Sequence, residues 1–135
     1  MGYNNADQYE SSPLVSKITE ELKELVQSSP ITSAAVLTIE GLPVANYMTG
    51  EENEALIAAV SAALYATGNQ TAQNLNQGNV RAIIIDGENG VTVVMTVDKD
   101  NIIIVTAGQD TKLGLVFNDV KKAVRNIKKI LHQIM

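Results

Sequence analysis

Two predicted strands of this chain are apolar on both faces, and this feature limits the possible folds more than any other. The runs Ile83–Ile85 and Ile102–Val105 contain no polar residue. A strand with one wet face alternates apolar and polar residues, because successive side chains point to opposite faces of the sheet. These strands must therefore be covered on both sides, which predicts a sheet lying between two layers of helices.

Helical periodicity and turn signals supply the remaining elements. Helices are predicted from Pro13 to about Gln27, from Glu51 to Gln77, and from Asp110-Thr111 to the region of Met135. The predicted strands are Ile31–Ile39, Leu42–Tyr47, Val80–Asp86, Val91–Val97 and Asn101–Ala107. Short turns between the last three strands indicate an antiparallel meander, and Pro43 places the second strand at a sheet edge, where its missing N–H is not needed.

We therefore predict an α/β (α+β) fold of three layers, with an antiparallel five-stranded sheet between helices. The predicted order is helix-strand-strand-helix-strand-strand-strand-helix. The length of 135 residues fits one domain, which we assign to residues 13–135. Residues 1–12 are rich in Asn, Gln and Ser, and we expect them to form a mobile polar tail.

The central helix carries two different apolar stripes. Large side chains form one stripe, which we expect to lie on the core; its residues are Leu56, Ile57, Val60, Leu64, Thr67, Thr71 and Leu75. Small side chains form the other, at Ala55, Ala59, Ala62 and Ala66. Alanine is also the best helix former, so this stripe can reflect propensity alone. We favour a second packing surface, because small side chains let another helix or protein approach closely.

The sequence shows no set of residues suited to catalysis or to holding a metal or cofactor. There is no Cys, which excludes disulfides and thiolate ligands. The single histidine, His132, has no orienting partner in sequence, and no glycine-rich phosphate loop precedes a helix. We therefore predict a non-enzymatic protein without cofactor or metal.

Charge and hydropathy limit the partners and the location. The net charge of −5 argues against a dedicated nucleic-acid binder. No signal peptide or membrane-spanning segment is evident, and the lack of Cys is consistent with the cytoplasm. The last helix is basic, with Lys121, Arg125, Lys128 and His132 on one face and Lys122 and Lys129 on another. This helix can meet an acidic partner or a membrane surface, or it can be solvated beside the glutamates of the first helix.

Specific residues resemble the Roadblock family, which is named with the dynein light chains. The matching pieces are Ala34–Ala45 with its Gly41-Leu42-Pro43 turn, the alanine-rich central helix, and Leu113-Gly114-Leu115 before the last helix. Together with the element order, the resemblance covers about Pro13 to Met135. Residues 1–12 are not part of the family pattern.

The resemblance implies a function that the residues alone do not name. Proteins of this family are not enzymes; they form dimers and act as platforms or regulators for Ras-like small GTPases, also in prokaryotes. In the family, the strand after the central helix pairs with its copy across a twofold axis, and the two central helices lie side by side. Carried over to this chain, the pairing strand is Val80, Arg81, Ala82, Ile83 and Ile84.

The implied partners are a second copy, or a paralogous Roadblock protein, and a small GTPase. The surface for the dimer or the GTPase would be the exposed side of the central helix, formed by Ala55, Ala59, Ala62, Ala66, Gln70 and Gln73. A small-molecule sensor, or a profilin-like or longin-like protein-binding module, is the alternative, because these also cover an antiparallel sheet with helices. A sensor needs a walled pocket, and aromatic residues that often wall one are few and dispersed here.

Overall fold

The computed structural model describes residues 12–48, 50 and 53–133. Its elements are α1 (Pro13–Ser28), β1 (Ile31–Thr38), β2 (Pro43–Met48), α2 (Glu54–Asn74), β3 (Ala82–Gly87), β4 (Gly90–Thr96), β5 (Asn101–Gly108) and α3 (Leu113–His132). The predicted class and element order are confirmed. Apart from Ser12, the predicted tail lies outside the described residues, as do Thr49, Glu51, Glu52 and residues 134–135.

The strands form one antiparallel sheet in the order β2-β1-β5-β4-β3. β2 lies at one edge, as Pro43 predicts. The meander β3-β4-β5 fills the other half of the sheet, so β3 lies at the opposite edge. β1 and β5 are not consecutive in the chain, but they pair with each other at the centre of the sheet. This pairing joins the two halves of the sheet.

Helices cover both faces of the sheet, but unequally. α1 and α3 pack together on one face, over a core that includes Ile18, Leu22, Val36, Val93, Met95, Ile103, Val105, Val120 and Ile127. α2 lies alone on the other face, over Leu37, Val94 and Ile102. Two-sided cover is confirmed for β5, where Ile102 and Ile103 are 0% exposed. It is wrong for the second half of β3, where Ile84 is 43% and Ile85 is 44% exposed, because β3 lies at the edge and is packed against the two cores only at Ala82 and Ile83.

The helix ends follow local hydrogen bonding. Ser12 Oγ accepts from the Val15 N–H at 3.2 Å, which gives the predicted start of α1. The first helical residue of α2 is Glu54, because Asn53 Oδ1 accepts from the Leu56 N–H at 3.1 Å. At the other end of α2, Asn76 rather than Gly78 reverses the chain, with a φ of 59°.

This C-terminal cap of α2 is a Schellman motif. The Gln77 N–H donates to the Ala72 carbonyl at 2.8 Å, and the Asn76 N–H donates to the Gln73 carbonyl at 3.0 Å. Asparagine tolerates the left-handed region better than most residues, so the helix ends before the glycine is reached. The chain then turns back toward β3.

Substitution of Gly41 tests the turn that joins β1 to β2. Gly41 has a φ of +98°, and a Cβ there would lie 3.4 Å from the Ala62 Cβ. We expect Gly41→Ala to lower the free energy of unfolding by about 1–3 kcal/mol in urea titration. At Gly114 an added Cβ would meet nothing within 4 Å, and alanine favours the helix. An equal loss for Gly114→Ala would contradict this explanation.

Candidate protein-binding surface

Small side chains bring α2 close to the sheet. Ala58, Ser61 and Ala62 are the buried residues of this helix. The turn at Gly41 lies beside them, where an added Cβ would be 3.5 Å from the Ala59 Cα and 3.6 Å from the Ala58 carbonyl oxygen. The internal β1–β2 turn therefore occupies part of the alanine surface that the sequence assigned to an outside partner.

The predicted orientation of α2 is accordingly wrong. Leu56, Val60 and Leu75 were expected on the core, yet they are 60%, 59% and 61% exposed. Thr67 and Thr71 are exposed as well, whereas Ile57 and Leu64 are half-buried at the side of the helix. The helix is instead rotated so that Ala58, Ser61 and Ala62 face the sheet and Leu56 and Val60 face solvent.

The predicted partner residues of α2 are only partly on its surface. Ala55, Ala59 and Ala66 are exposed as expected, but Ala62 is buried. Gln70 and Gln73 are exposed, and their side chains hold the end of the helix. Gln70 Nε2 donates to Asn74 Oδ1 at 2.9 Å, and Gln73 Nε2 donates to Asn79 Oδ1 at 2.7 Å. Leu42, Leu56 and Val60 are exposed apolar residues near this surface that were not predicted to belong to it.

The C-terminal part of α2 extends past the edge of the sheet. Gly68 lies against Ile83 of β3, where an added Cβ would be 2.5 Å from the Ile83 Cδ1. Asn69 Oδ1 accepts from the Val80 N–H at 2.8 Å. Leu75 follows seven residues after Gly68, which is about 10 Å further along the axis. From Ala58 near β1 to Gly68 at β3 the helix crosses the sheet, so its last turns continue beyond β3 with no strand beneath them in the described part of the chain.

The edge strand β3 has a free row of backbone groups. The Thr96 N–H donates to the Arg81 carbonyl at 3.0 Å, so Arg81 directs its backbone groups toward β4. Antiparallel strands alternate in this respect, and Ile83 and Ile85 therefore also face β4. The N–H and carbonyl groups of Ala82, Ile84 and Asp86 point away from the sheet.

The predicted pairing strand is shifted along the chain. Val80 and Arg81 precede β3, although Val80 still accepts a hydrogen bond from Thr96 Oγ1 at 3.0 Å. Ala82, Ile83 and Ile84 belong to β3 as expected, and Ile85 and Asp86 extend it. The free edge is therefore centred on Ile84 rather than on Ala82.

Other kinds of site find little support in the described residues. No group of three or more His, Cys, Asp or Glu side chains among them could hold a metal ion. The cavity under α2, lined by residues such as Leu37, Ala45 and Ile57, has a volume of about 10 Å³, far below that of a ligand pocket. A larger hollow of about 610 Å³ lies on the surface of α3 and is lined by Arg125, Lys128, Lys129, His132 and Gln133. Within the described ranges, no helix has the length and hydropathy needed to cross a bilayer.

Comparisons with known proteins agree with this architecture. The family model for the Roadblock/LC7 domain matches residues 17–107. An uncharacterized protein of Methanocaldococcus jannaschii is 27% identical over 111 residues, which cover 82% of this chain and 96% of that protein. Myxococcus xanthus MglB superposes with a TM-score of 0.86 at 17% identity, covering 92% of this chain and 94% of that one. A structure of MglB with a tetrameric arrangement gives 0.85 at 16% identity, with coverages of 92% and 94%. At these identities, the two structures show similarity of fold.

Glutamate substitutions at Ala62 and Val60 test which side of α2 is internal. Ala62 is 7% exposed, so Ala62→Glu buries a carboxylate, and we expect a loss of about 3 kcal/mol or more in the free energy of unfolding. Val60→Glu places the same charge in water and should stay within about 0.5 kcal/mol of the wild type. Urea unfolding followed by circular dichroism measures both. Similar losses for the two variants would mean that the helix is oriented differently.

Proposed function

Because this chain belongs to the Roadblock/LC7 domain family, we propose that it is a homodimeric platform that binds a Ras-like small GTPase and alters its nucleotide cycle. The observation that carries the dimer is the mismatch between α2 and its own sheet. The helix continues beyond β3, and β3 offers a free row of backbone groups at that same edge. A second copy that continues the sheet would place strands under the overhanging helix.

The free backbone groups limit how two copies can pair. A twofold axis makes the interface isologous, so β3 pairs antiparallel with its copy. Only Ala82, Ile84 and Asp86 direct their N–H and carbonyl groups outward. An axis through Ile84 uses all three, because Ile84 then meets its own copy and Ala82 meets the partner's Asp86. Such pairing also removes an exposed edge of Ile residues without proline, which would otherwise favour aggregation.

The same axis covers the exposed apolar side chains near the edge. Ile83 and Ile85 share the sheet face that carries α2. In this register Ile83 lies opposite the partner's Ile85. Since Leu75 lies about 10 Å beyond Ile83 and strands are about 4.8 Å apart, it projects over the partner's half of the sheet. Leu75 and the partner's Ile85, each exposed in one copy, then cover each other.

The N-terminal half of α2 remains free in this dimer, and we assign it to the GTPase. Leu56, Ala59 and Val60 lie on or beside the outward face of the helix, over the half of the sheet remote from β3. Leu42 follows Gly41, whose turn contacts Ala59, and is 64% exposed. These side chains form one apolar patch on the same surface as the dimer contact. Exposed apolar patches of this kind typically bind other proteins.

We expect the GTPase to be affected through binding rather than through a group donated to the reaction. Arg81 is exposed just before an edge strand, and Arg125 is exposed on α3, on the other face of the sheet. Neither arginine lies on the outward surface of α2. Neither could therefore act as an arginine finger by reaching the nucleotide of a GTPase that binds to this surface. The protein would instead stabilise one conformation of the GTPase. We propose the cytoplasm as its location, which is also the expectation from the sequence.

Disulfide formation between two single-cysteine variants tests the register of the dimer. The chain has no natural cysteine. Ile83 and the partner's Ile85 form a non-hydrogen-bonded pair, with Cα atoms about 4.5 Å apart, which is within disulfide range. We expect Ile83→Cys and Ile85→Cys, unfolded and refolded together and then oxidised, to give a covalent dimer on a non-reducing gel.

Each variant alone is the matched control. Ile83 and its own copy would be offset by two residues, about 8 Å apart, and the same holds for Ile85, so neither variant should crosslink with itself. Crosslinking of Ile83→Cys with itself would indicate that the twofold axis passes through Ile83 rather than through Ile84. Absence of a covalent dimer in the mixture, with a monomeric mass by light scattering, would overturn the proposed dimer. A paralogous chain as the natural partner would show as a heterodimer on coexpression.

Binding to small GTPases of the same genome tests the second part of the proposal. We expect one of them, loaded with GDP or with a non-hydrolysable GTP analogue, to bind the dimer and to change its rate of hydrolysis or nucleotide release. Leu56→Glu with Val60→Glu should weaken this binding by about tenfold or more, since both side chains lie in the contact. Gln27→Glu, on the exposed end of α1, should leave affinity unchanged. Equal affinity for both variants would contradict the assigned surface.

A further inference from the structure

The face of β3 that points away from α2 also remains open in the dimer. Ile84 lies opposite Val93, on the side of the sheet that α1 and α3 cover. Yet Ile84 is 43% exposed, because α3 packs mainly over β4 and β5. In the proposed dimer, Ile84 and its copy meet at the twofold axis. They form an apolar floor between the two copies of α3.

The space above this floor has the width of one helix. α3 lies about two strand spacings from the axis, so the two copies of α3 would be about 19 Å apart. Packed helices lie about 8–10 Å from each other. Because the sheet twists, the two copies of α3 diverge away from the axis, and a single helix placed on the axis would contact both walls near its middle and the floor beneath it. We call this space, between α3 and its copy and above Ile84, the axial slot.

The walls of the axial slot are apolar at their base and basic at their rim. Phe117, Val124 and Leu131 recur every seven residues along α3 and are half-buried. Lys121 and Lys128 follow at the same spacing, further from the sheet and exposed. Lys121 Nζ lies 4.9 Å from the centroid of the Phe117 ring, so the cation borders the apolar stripe.

This flank of α3 is the one turned away from α1. The opposite flank meets α1, where Asn126 Nδ2 donates to Glu21 Oε1 at 2.6 Å. The glutamates of α1 are therefore separated from the slot by the body of α3. Asp86 shares the face of Ile84 and lies at the end of the floor. Positive charge is thus carried along both rims, from Lys121 and Lys128 of each protomer.

We infer that the axial slot binds one acidic amphipathic helix of a partner protein. Its apolar side would lie on Ile84, Phe117 and Val124, and its carboxylates would meet the lysines of both rims. A membrane fits less well, because the slot is recessed and the exposed Glu20 and Glu24 of α1 share the same layer and would be repelled by anionic lipid. The inference rests on the proposed dimer, since one protomer supplies only one wall. It adds a second partner site, on the opposite side of the sheet from the GTPase patch.

A synthetic peptide tests the axial slot without knowledge of the natural partner. The probe is a helix of about 18 residues with Leu at every third or fourth position and Glu on both sides of that stripe. Isothermal titration calorimetry on the wild-type dimer should show one peptide per dimer, with affinity falling as salt rises. The same peptide with Lys in place of Glu should bind at least about tenfold more weakly.

Two double variants that change the charge of α3 equally, one inside the axial slot and one outside it, test whether the peptide binds in the slot. Lys121→Glu with Lys128→Glu should reduce affinity for the acidic peptide by about tenfold or more. Lys122→Glu with Lys129→Glu, on the same helix but outside the slot, should change it by no more than about twofold. Equal losses for the two pairs, binding of two peptides per dimer, or no binding would overturn the inference. A concentration-dependent tetramer that Lys121→Glu and Lys128→Glu abolish would make a second dimer the occupant and would also overturn it.

Light scattering on the same samples distinguishes failure of the axial slot from failure of the dimer. A dimer that does not bind the acidic peptide refutes the axial slot and leaves the proposed function intact. A protein that stays monomeric at the concentrations used refutes the dimer, and the slot is refuted with it.

Discussion

The close approach of α2 to the sheet determines the shape of the proposed binding surface. A side chain at Gly68 would collide with Ile83, one at Gly41 would lie in van der Waals contact with the helix, and Ala58 and Ala62 are buried. The fully buried residues of α2 are small, and its large residues Leu64 and Tyr65 reach the core only as half-buried side chains. Leu56, Val60 and Leu75 point to solvent, and the apolar surface of a single copy is larger than its own core requires.

The incomplete sheet and the exposed helix are two aspects of one arrangement. α2 crosses the strands and ends beyond β3, while β3 keeps the backbone groups of Ala82, Ile84 and Asp86 unpaired by any other strand of the described chain. Strands added at this edge satisfy those groups and cover the end of the helix at the same time. The dimer proposed for this Roadblock/LC7 domain protein thus follows from backbone geometry as much as from family membership. It divides the surface into a dimer contact near Leu75 and a partner patch near Val60.

Most of the fold could be predicted from sequence because its signals are local. The Pro43 edge, the two turns of the meander and the unbroken apolar run of β5 each depend on a few neighbouring residues. The side of α2 that faces the sheet could not be predicted in this way. It depends on how the turn at Gly41 packs against α2, and α2 begins more than ten residues later in the chain. Gly68 was the available signal, because a glycine inside a helix costs stability and often marks a close approach of another element.

Amide hydrogen exchange at β3 tests the central claim most directly, because it reports on the backbone groups that would form the interface. Ile83 and Ile85 direct their N–H groups toward β4, whereas Ile84 directs its N–H out of the sheet. If a second copy pairs with β3, the Ile84 amide should exchange as slowly as those of Ile83 and Ile85, and it should lose this protection on dilution. Exchange of the Ile84 amide at the rate of a solvent-exposed group at high protein concentration, while Ile83 and Ile85 remain protected, would contradict it.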